Sequence, residues 1–253
     1  MEKLLGLPVL ASEHGKDVDT LIVYIHYLMI ALFVGWLSYF AYALFRFHNS
    51  RNPKADYVGV KSHASNWVEG IVILVEGILL IAFAIPLWAK AVDKFPAEKD
   101  STVIQIVAQQ FDWNVRYPGK DGVFGKQSMQ FVSPTNPFGV DPNDPAGKDD
   151  ISDTTQIHVP VGKPVIAKIS SKDVIHSFKV IAMRVTQDAI PGMRIPIHFT
   201  PTTVGHYQIN CAQLCGNSHA NMSRGMLIVD TPEDYQKWLD SKAGAAATPQ
   251  NLE

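Results

Sequence analysis

Cysteine is nearly missing from this chain: 253 residues contain two, Cys211 and Cys215. A disulfide-stapled scaffold is therefore excluded, and one bridge is the most the chain can form. No cysteine lies near the N-terminus to carry a lipid, and no Cys-x-x-Cys-His run is present to attach a c-type haem. Net charge is small as well, −2 with a pI near 6.5, and nothing in it favours nucleic acid as a partner. Internal repeats are absent, which excludes solenoids and propellers.

The most telling absence is local. Residues 20–45 contain no Asp, Glu, Lys or Arg over 26 positions. At about 1.5 Å per residue, such a run crosses a hydrocarbon core of ~30 Å with some tilt. A second apolar run, 67–88, is bounded by Trp67 and Trp88, the residue type that anchors at membrane interfaces. The mean hydropathy of +0.03 thus averages two unlike halves. The short loop between the runs carries Arg46, Arg51, Lys54 and Lys61 against Asp56, so it is expected on the cytoplasmic side. The N-terminus and everything after the second run then face outward. The first residues carry Glu2 and Lys3 before a short apolar stretch with no small-residue cleavage site, so the first span is expected to be the targeting signal.

From residue 101 the pattern changes to short β-type stretches, at 102–109, 155–159, 164–169, 176–181, 206–210 and 226–229. Turn residues separate them, which indicates a Greek-key β-sandwich. The expected fold class is an α+β membrane protein: a two-helix transmembrane hairpin followed by that sandwich. The expected organisation is an extracytoplasmic segment 1–19, a hairpin 20–90 (spans about 20–46 and 67–89), a linker 91–100, a sandwich 101–242 and a tail 243–253. A short surface helix is expected at 232–242, and disorder in the small, polar tail. The stretch 117–153 is long for a connection and locally acidic, either a solvated insertion or a docking surface.

The chemistry concentrates in residues 211–222, where Cys211, Cys215, His219 and Met222 follow at steps of four, four and three. Another candidate, His176, lies 35 residues before Cys211. Thiolates, imidazole and a thioether form a soft donor set that suits copper. A disulfide competes with this reading. Structural zinc prefers a closer cysteine pair and takes Met poorly. A mononuclear blue-copper site needs one Cys, which leaves the second over. Two bridging thiolates, two terminal histidines and a Met would serve two copper ions, with the Gln213 carbonyl as a further donor.

These residues, with Asp173 to Phe178 upstream, resemble the CuA site of cytochrome c oxidase subunit II, and the resemblance runs from about residue 20 to 240. It implies a cupredoxin-like sandwich holding two copper ions. The ligands would be His176, Cys211, the Gln213 backbone carbonyl, Cys215, His219 and Met222. It also implies a bacterial inner membrane location, with the sandwich on the periplasmic side. The partners would be haem–copper oxidase subunit I, holding haem and CuB, and subunit III. Cytochrome c or a similar small donor would supply electrons for oxygen reduction coupled to proton pumping, and this chain alone would reduce no oxygen.

Several residues carry secondary expectations from the same resemblance. Glu69, at the cytoplasmic start of the second span, matches the glutamate that subunit II offers to a proton channel of subunit I; the alternative is an ordinary interfacial carboxylate. Glu76 lies about 10 Å deeper on nearly the same face and has no counterpart in the family. The family's electron-accepting tryptophan aligns with Phe111, and Trp113 keeps the later aromatic position, so both are candidates for the electron port; packing in the core is the alternative. Gln213 stands where many relatives carry a magnesium-binding Glu, which puts magnesium in doubt rather than copper. Asp188 matches a segment facing subunit I, or merely shapes a turn. His158, His198 and His206 lack ligand spacing, and His26 is expected to pack against another subunit. Other readings are a quinol oxidase subunit, which normally lacks the copper ligands, a nitric oxide reductase partner with CuA, and a membrane-tethered copper-binding or assembly protein.

Overall fold

The computed structural model describes residues 2–54, 57–59 and 61–246. Asp56 of the inter-span loop and the tail residues 247–253 lie outside the described residues. The chain divides into two compact units: one holds the helical pair through Lys90, and the other holds the strands together with Pro8–Lys16.

In the first unit, the apolar run at 20–45 sits in the helix Gly15–Arg46, and the second run in the helical stretch Ala64–Val92. Both are long and apolar enough to cross a membrane. The second is α-helical over Ala64–Ile78 and Ile85–Val92, with a π-helical segment Leu79–Ala84 between them. Pro86 explains the interruption, because it lacks an N–H and its ring crowds the preceding turn. The widened segment lets the Ile85 N–H reach the Leu80 carbonyl, five residues back, so backbone groups stay paired. Asp17 and Lys90 join the helices at one end (2.9 Å), and Tyr24 meets Phe83 edge to face at 5.4 Å.

The second unit is a β-sandwich of ten strands: β1 (Thr102–Gln109), β2 (Asp112–Tyr117), β3 (Ile151–Thr154), β4 (Gln156–Pro160), β5 (Val165–Ser171), β6 (His176–Val180), β7 (Val185–Ala189), β8 (Ile195–Phe199), β9 (Gly205–Cys211) and β10 (Met226–Asp230). One sheet runs β3-β2-β1-β5-β8, the other β4-β10-β9-β6-β7. The β1–β5 and β4–β10 pairs are parallel and the rest antiparallel. Between the sheets lie Ile104, Ile106, Trp113, Phe178, Ile209 and Leu227, all essentially inaccessible. This is the two-layer arrangement expected from the alternation of apolar and polar residues.

Three features depart from the sequence expectations. The C-terminal helix is Pro232–Ala246, so residues 243–246 continue a helix rather than begin a disordered tail. Its anchor is Trp238, stacked on His158 at 4.3 Å and edge-on to Tyr117 at 4.9 Å. Residues 117–153 are not a plain solvated insertion. They wrap the fully buried Arg116, whose guanidinium pairs with Asp150 and donates to the Gly125 carbonyl at 3.0 Å. Finally, residues 8–16 are laid onto the sandwich: Ala11 N–H donates to Ala182 O (2.8 Å), Thr202 N–H to Ala11 O (2.8 Å) and Ser12 Oγ to Met183 O (2.7 Å).

Candidate metal centre

β6 opens on His176, which is fully buried. Its Nε2 lies 2.9 Å from Asp173 Oδ1, while Nδ1 is buried with no hydrogen-bond partner among the described residues. A neutral imidazole donating through Nε2–H presents a lone pair at Nδ1, and an orphaned buried lone pair is costly unless something binds it. Metal-bound histidines are held in this way, with the distal N–H on a carboxylate.

The other donors come from the loop after β9. Cys211 Sγ stands 3.9 Å from Cys215 Sγ and 3.0 Å from the Gln213 carbonyl oxygen, and Cys215 Sγ is 3.3 Å from His219 Nδ1. The cysteines are free thiols, far outside the ~2.05 Å of an S–S bond. The ligand atoms of His176, Cys211 and Cys215 all lie within 4.8 Å of one another. Met222 is fully buried in the 3-10 turn His219–Arg224. The structure thus gathers His176, Cys211, Cys215, His219 and the Gln213 carbonyl, with Met222 at the end of the same loop. Two sulfurs beside two imidazoles fit copper in preference to hard cations.

Protonation favours the uncharged thiol until metal arrives. Burial pushes the Cys215 thiol up to about 11, with the neighbouring Cys211 sulfur as the second cause. Asp173 shows the opposite balance: burial would raise it, but the Gln110 N–H, His176 and the Val174 N–H hold it below the usual carboxylate value.

The remaining candidates are more scattered. Trp113 is fully buried, its indole N–H donating to the Met222 carbonyl (2.9 Å) and its ring centred 6.2 Å from that of His176. It therefore offers no outer surface to a docked donor, whereas Phe111 is half-buried against Gly216 of the metal loop. Asp188, in β7, pairs with Ser177, next to His176 in register. Glu69 and Glu76 are exposed on the second membrane-capable helix, and their carboxylates make no bond among the described residues. His158 bonds Asp230 at 2.7 Å, and the ring of His198 lies 4.7 Å from Phe95.

Two residues at the site were given no role by sequence reasoning. Asp173 orients His176, and its signal was a carboxylate three positions ahead of a candidate ligand. Gln110 donates its backbone N–H to Asp173 Oδ2 (2.7 Å) and its side-chain amide to the Cys215 carbonyl (2.6 Å). Nothing in the spacing of Gln110 pointed to the site, because only the fold brings it there.

Comparison with known proteins gives a consistent result. Residues 102–229 match the family described as cytochrome C oxidase subunit II, periplasmic domain. An alternative cytochrome c oxidase subunit 2 from Bradyrhizobium diazoefficiens is 34% identical over 212 residues, covering 83% of this chain and 75% of the relative. A cytochrome c oxidase subunit 2 from Cereibacter sphaeroides is 31% identical over 252 residues, covering 94% and 78%. Among solved structures, the periplasmic domain of subunit II of cytochrome oxidase from Bradyrhizobium japonicum aligns with 25% identity and a TM-score of 0.44, over 60% of this chain and 99% of that one.

Proposed function

Since the chain belongs to the cytochrome c oxidase subunit II family, we propose that its metal centre is the dinuclear CuA site of a respiratory haem–copper oxidase. The chain is a subunit of an oxidoreductase complex and a membrane protein with a periplasmic domain. In the proposed assignment His176 Nδ1, Cys211, Cys215, His219, Met222 and the Gln213 carbonyl hold the two ions. When bound, the copper pair supplies one-electron storage with little change of geometry. The protein's part is to keep the donors in place and dry: His176 and Met222 are fully buried, and the two sulfurs need only lose their protons.

The other assignments follow the same reading. Electrons come from cytochrome c or a comparable small donor, with half-buried Phe111 forming the outer contact and Trp113 lying inside it. They leave towards haem in subunit I, whose interface includes Asp188, and CuB completes the oxygen site there. Glu69 serves the mouth of a proton channel in that partner. Subunit III completes the complex in the bacterial inner membrane. Gln213 presents an amide rather than a carboxylate, so it lends its backbone carbonyl to copper and is a weaker ligand for magnesium. The relatives are oxidase subunits, and the nitric oxide reductase and copper-assembly readings are not favoured.

One observation carries the proposal: a buried His176 has a ring nitrogen within 4.8 Å of two free thiols, and its Nδ1 has no hydrogen-bond partner among the described residues. The test is the assembled complex with Cys215→Ser. Oxygen consumption driven by reduced cytochrome c should fall to background while the haem spectrum of the complex persists. Wild-type turnover in that variant would overturn the proposal.

A further inference from the structure

We propose that the β1–β2 corner, the turn at 110–111 with the start of β2, is a clamp that presets the metal loop, with Gln110 and Trp113 as its positioning residues. The inference rests on the CuA reading of the loop but concerns residues outside the ligand set. Residues 212–225, between β9 and β10, lie outside the sheet ladders, so they need other donors to fix their carbonyls. The corner supplies them at two points: Gln110 Nε2, in the turn, donates to Cys215 O at 2.6 Å, and Trp113 Nε1, at the start of β2, donates to Met222 O at 2.9 Å. These partners are 105 and 109 residues apart in sequence, so each bond ties the loop to the opposite sheet. A third bond, from the Gln110 backbone N–H to Asp173 Oδ2 at 2.7 Å, reaches the carboxylate that orients His176. One corner therefore grips both pieces of chain that carry donors.

The glycines flanking the grip report how close it is. A Cβ on Gly216, whose φ is +140°, would lie 2.7 Å from Gln110 Nε2 and 3.0 Å from Phe111 Cζ. A Cβ on Gly225 would lie 2.5 Å from Trp113 Cδ1. Each clamp side chain thus presses on backbone that only glycine leaves open, one site between Cys215 and His219 and the other just after Met222. Trp113 also packs edge-on against Phe178 at 5.4 Å, a core contact that its ring alone would satisfy. Its N–H is the part specific to the clamp.

Trp113→Phe keeps the ring and deletes the N–H; Gln110→Leu keeps much of the volume and deletes the donor. With the full-length chain in detergent, two quantities are read: amide hydrogen exchange across 212–222 in metal-free protein, and the rate of copper release to a copper(I) chelator. Each variant should raise both by several-fold to about tenfold, the worth of one hydrogen bond. The melting temperature should stay close to wild type, and Gln110→Asn should recover less than half of the loss because its amide is one methylene short. Unchanged loop exchange with unchanged copper release would overturn the clamp, as would a loss confined to global stability. If the wild-type chain retained no copper, the functional reading would fall, and the exchange data would still decide the clamp.

Discussion

Replacing Asp173 with Asn should weaken copper binding without unfolding the domain. Asp173 accepts three N–H groups: His176 Nε2 at 2.9 Å, the Val174 backbone at 2.7 Å and the Gln110 backbone at 2.7 Å. Asn retains one acceptor oxygen but loses the charge, and its amide must turn away from one of those donors. The fully buried His176 ring then loses its charge-assisted bond, and its orientation is less firmly fixed. Carboxylates in this relation to a metal-bound histidine typically contribute 10–100-fold in metal affinity, equivalent to about 1.4–2.8 kcal/mol. That range agrees with ~1.5–3 kcal/mol for a hydrogen bond to a charged group. Asp173→Ala, which leaves all three donors unsatisfied, should lose more and should also lower the melting temperature of metal-free protein. The assay is competition against a chelator of known affinity at constant pH. Wild-type copper affinity in Asp173→Asn would refute the reasoning, as would a loss that tracks thermal stability alone.

Metal-free protein should lose stability as pH rises from about 8.5, the ordinary thiol value, towards about 11, where Cys215 titrates in the fold. The sign follows because a raised folded pKa contributes below the unfolded value and is lost through the folded one. Copper-loaded protein, its thiolates already deprotonated, should melt at nearly constant temperature from pH 8 to about 9.5, below the ordinary tyrosine value of about 10 at which the raised Tyr117 and Tyr235 start to cost stability in both forms. Arg116→Ala should cost about 3–5 kcal/mol in denaturant unfolding, because it strands Asp150, only 4% exposed, without its cation. Arg116→Met with Asp150→Leu should recover most of that loss, and failure to recover would mean that the pair shapes the 117–153 segment through more than its charges.

Much of the site was legible because ligand chemistry belongs to residue type. Two thiols, two imidazoles and a thioether restrict the metal whatever the fold, and a charge-free run of membrane length restricts the environment. Strands rich in apolar and β-branched residues, such as β1 and β10, were equally readable. The strands β7 and β8 were not, because Gln187, Asp188 and Pro196 dilute their pattern and pairing with β6 and β5 decides their state. The order within 117–153 was hidden for a similar reason: it depends on Arg116 meeting Asp150 across a long sequence separation. Residues 8–16 carry no strand signal and owe their place to backbone partners at 182, 200 and 202. Trp113 illustrates the limit most clearly. The family resemblance made it a candidate for the electron port, and only the fold shows that it is buried and bonded to Met222 O in the support of the loop.

Copper stoichiometry measured together with the electron paramagnetic resonance spectrum of the full-length, copper-loaded chain tests the central claim most directly. Two coppers per chain, with one unpaired electron shared by both nuclei in the one-electron-oxidised form, is the result the donor set at His176, Cys211, Cys215, His219 and Met222 predicts. A single copper with a mononuclear spectrum, or a Cys211–Cys215 disulfide in the native complex, would contradict it.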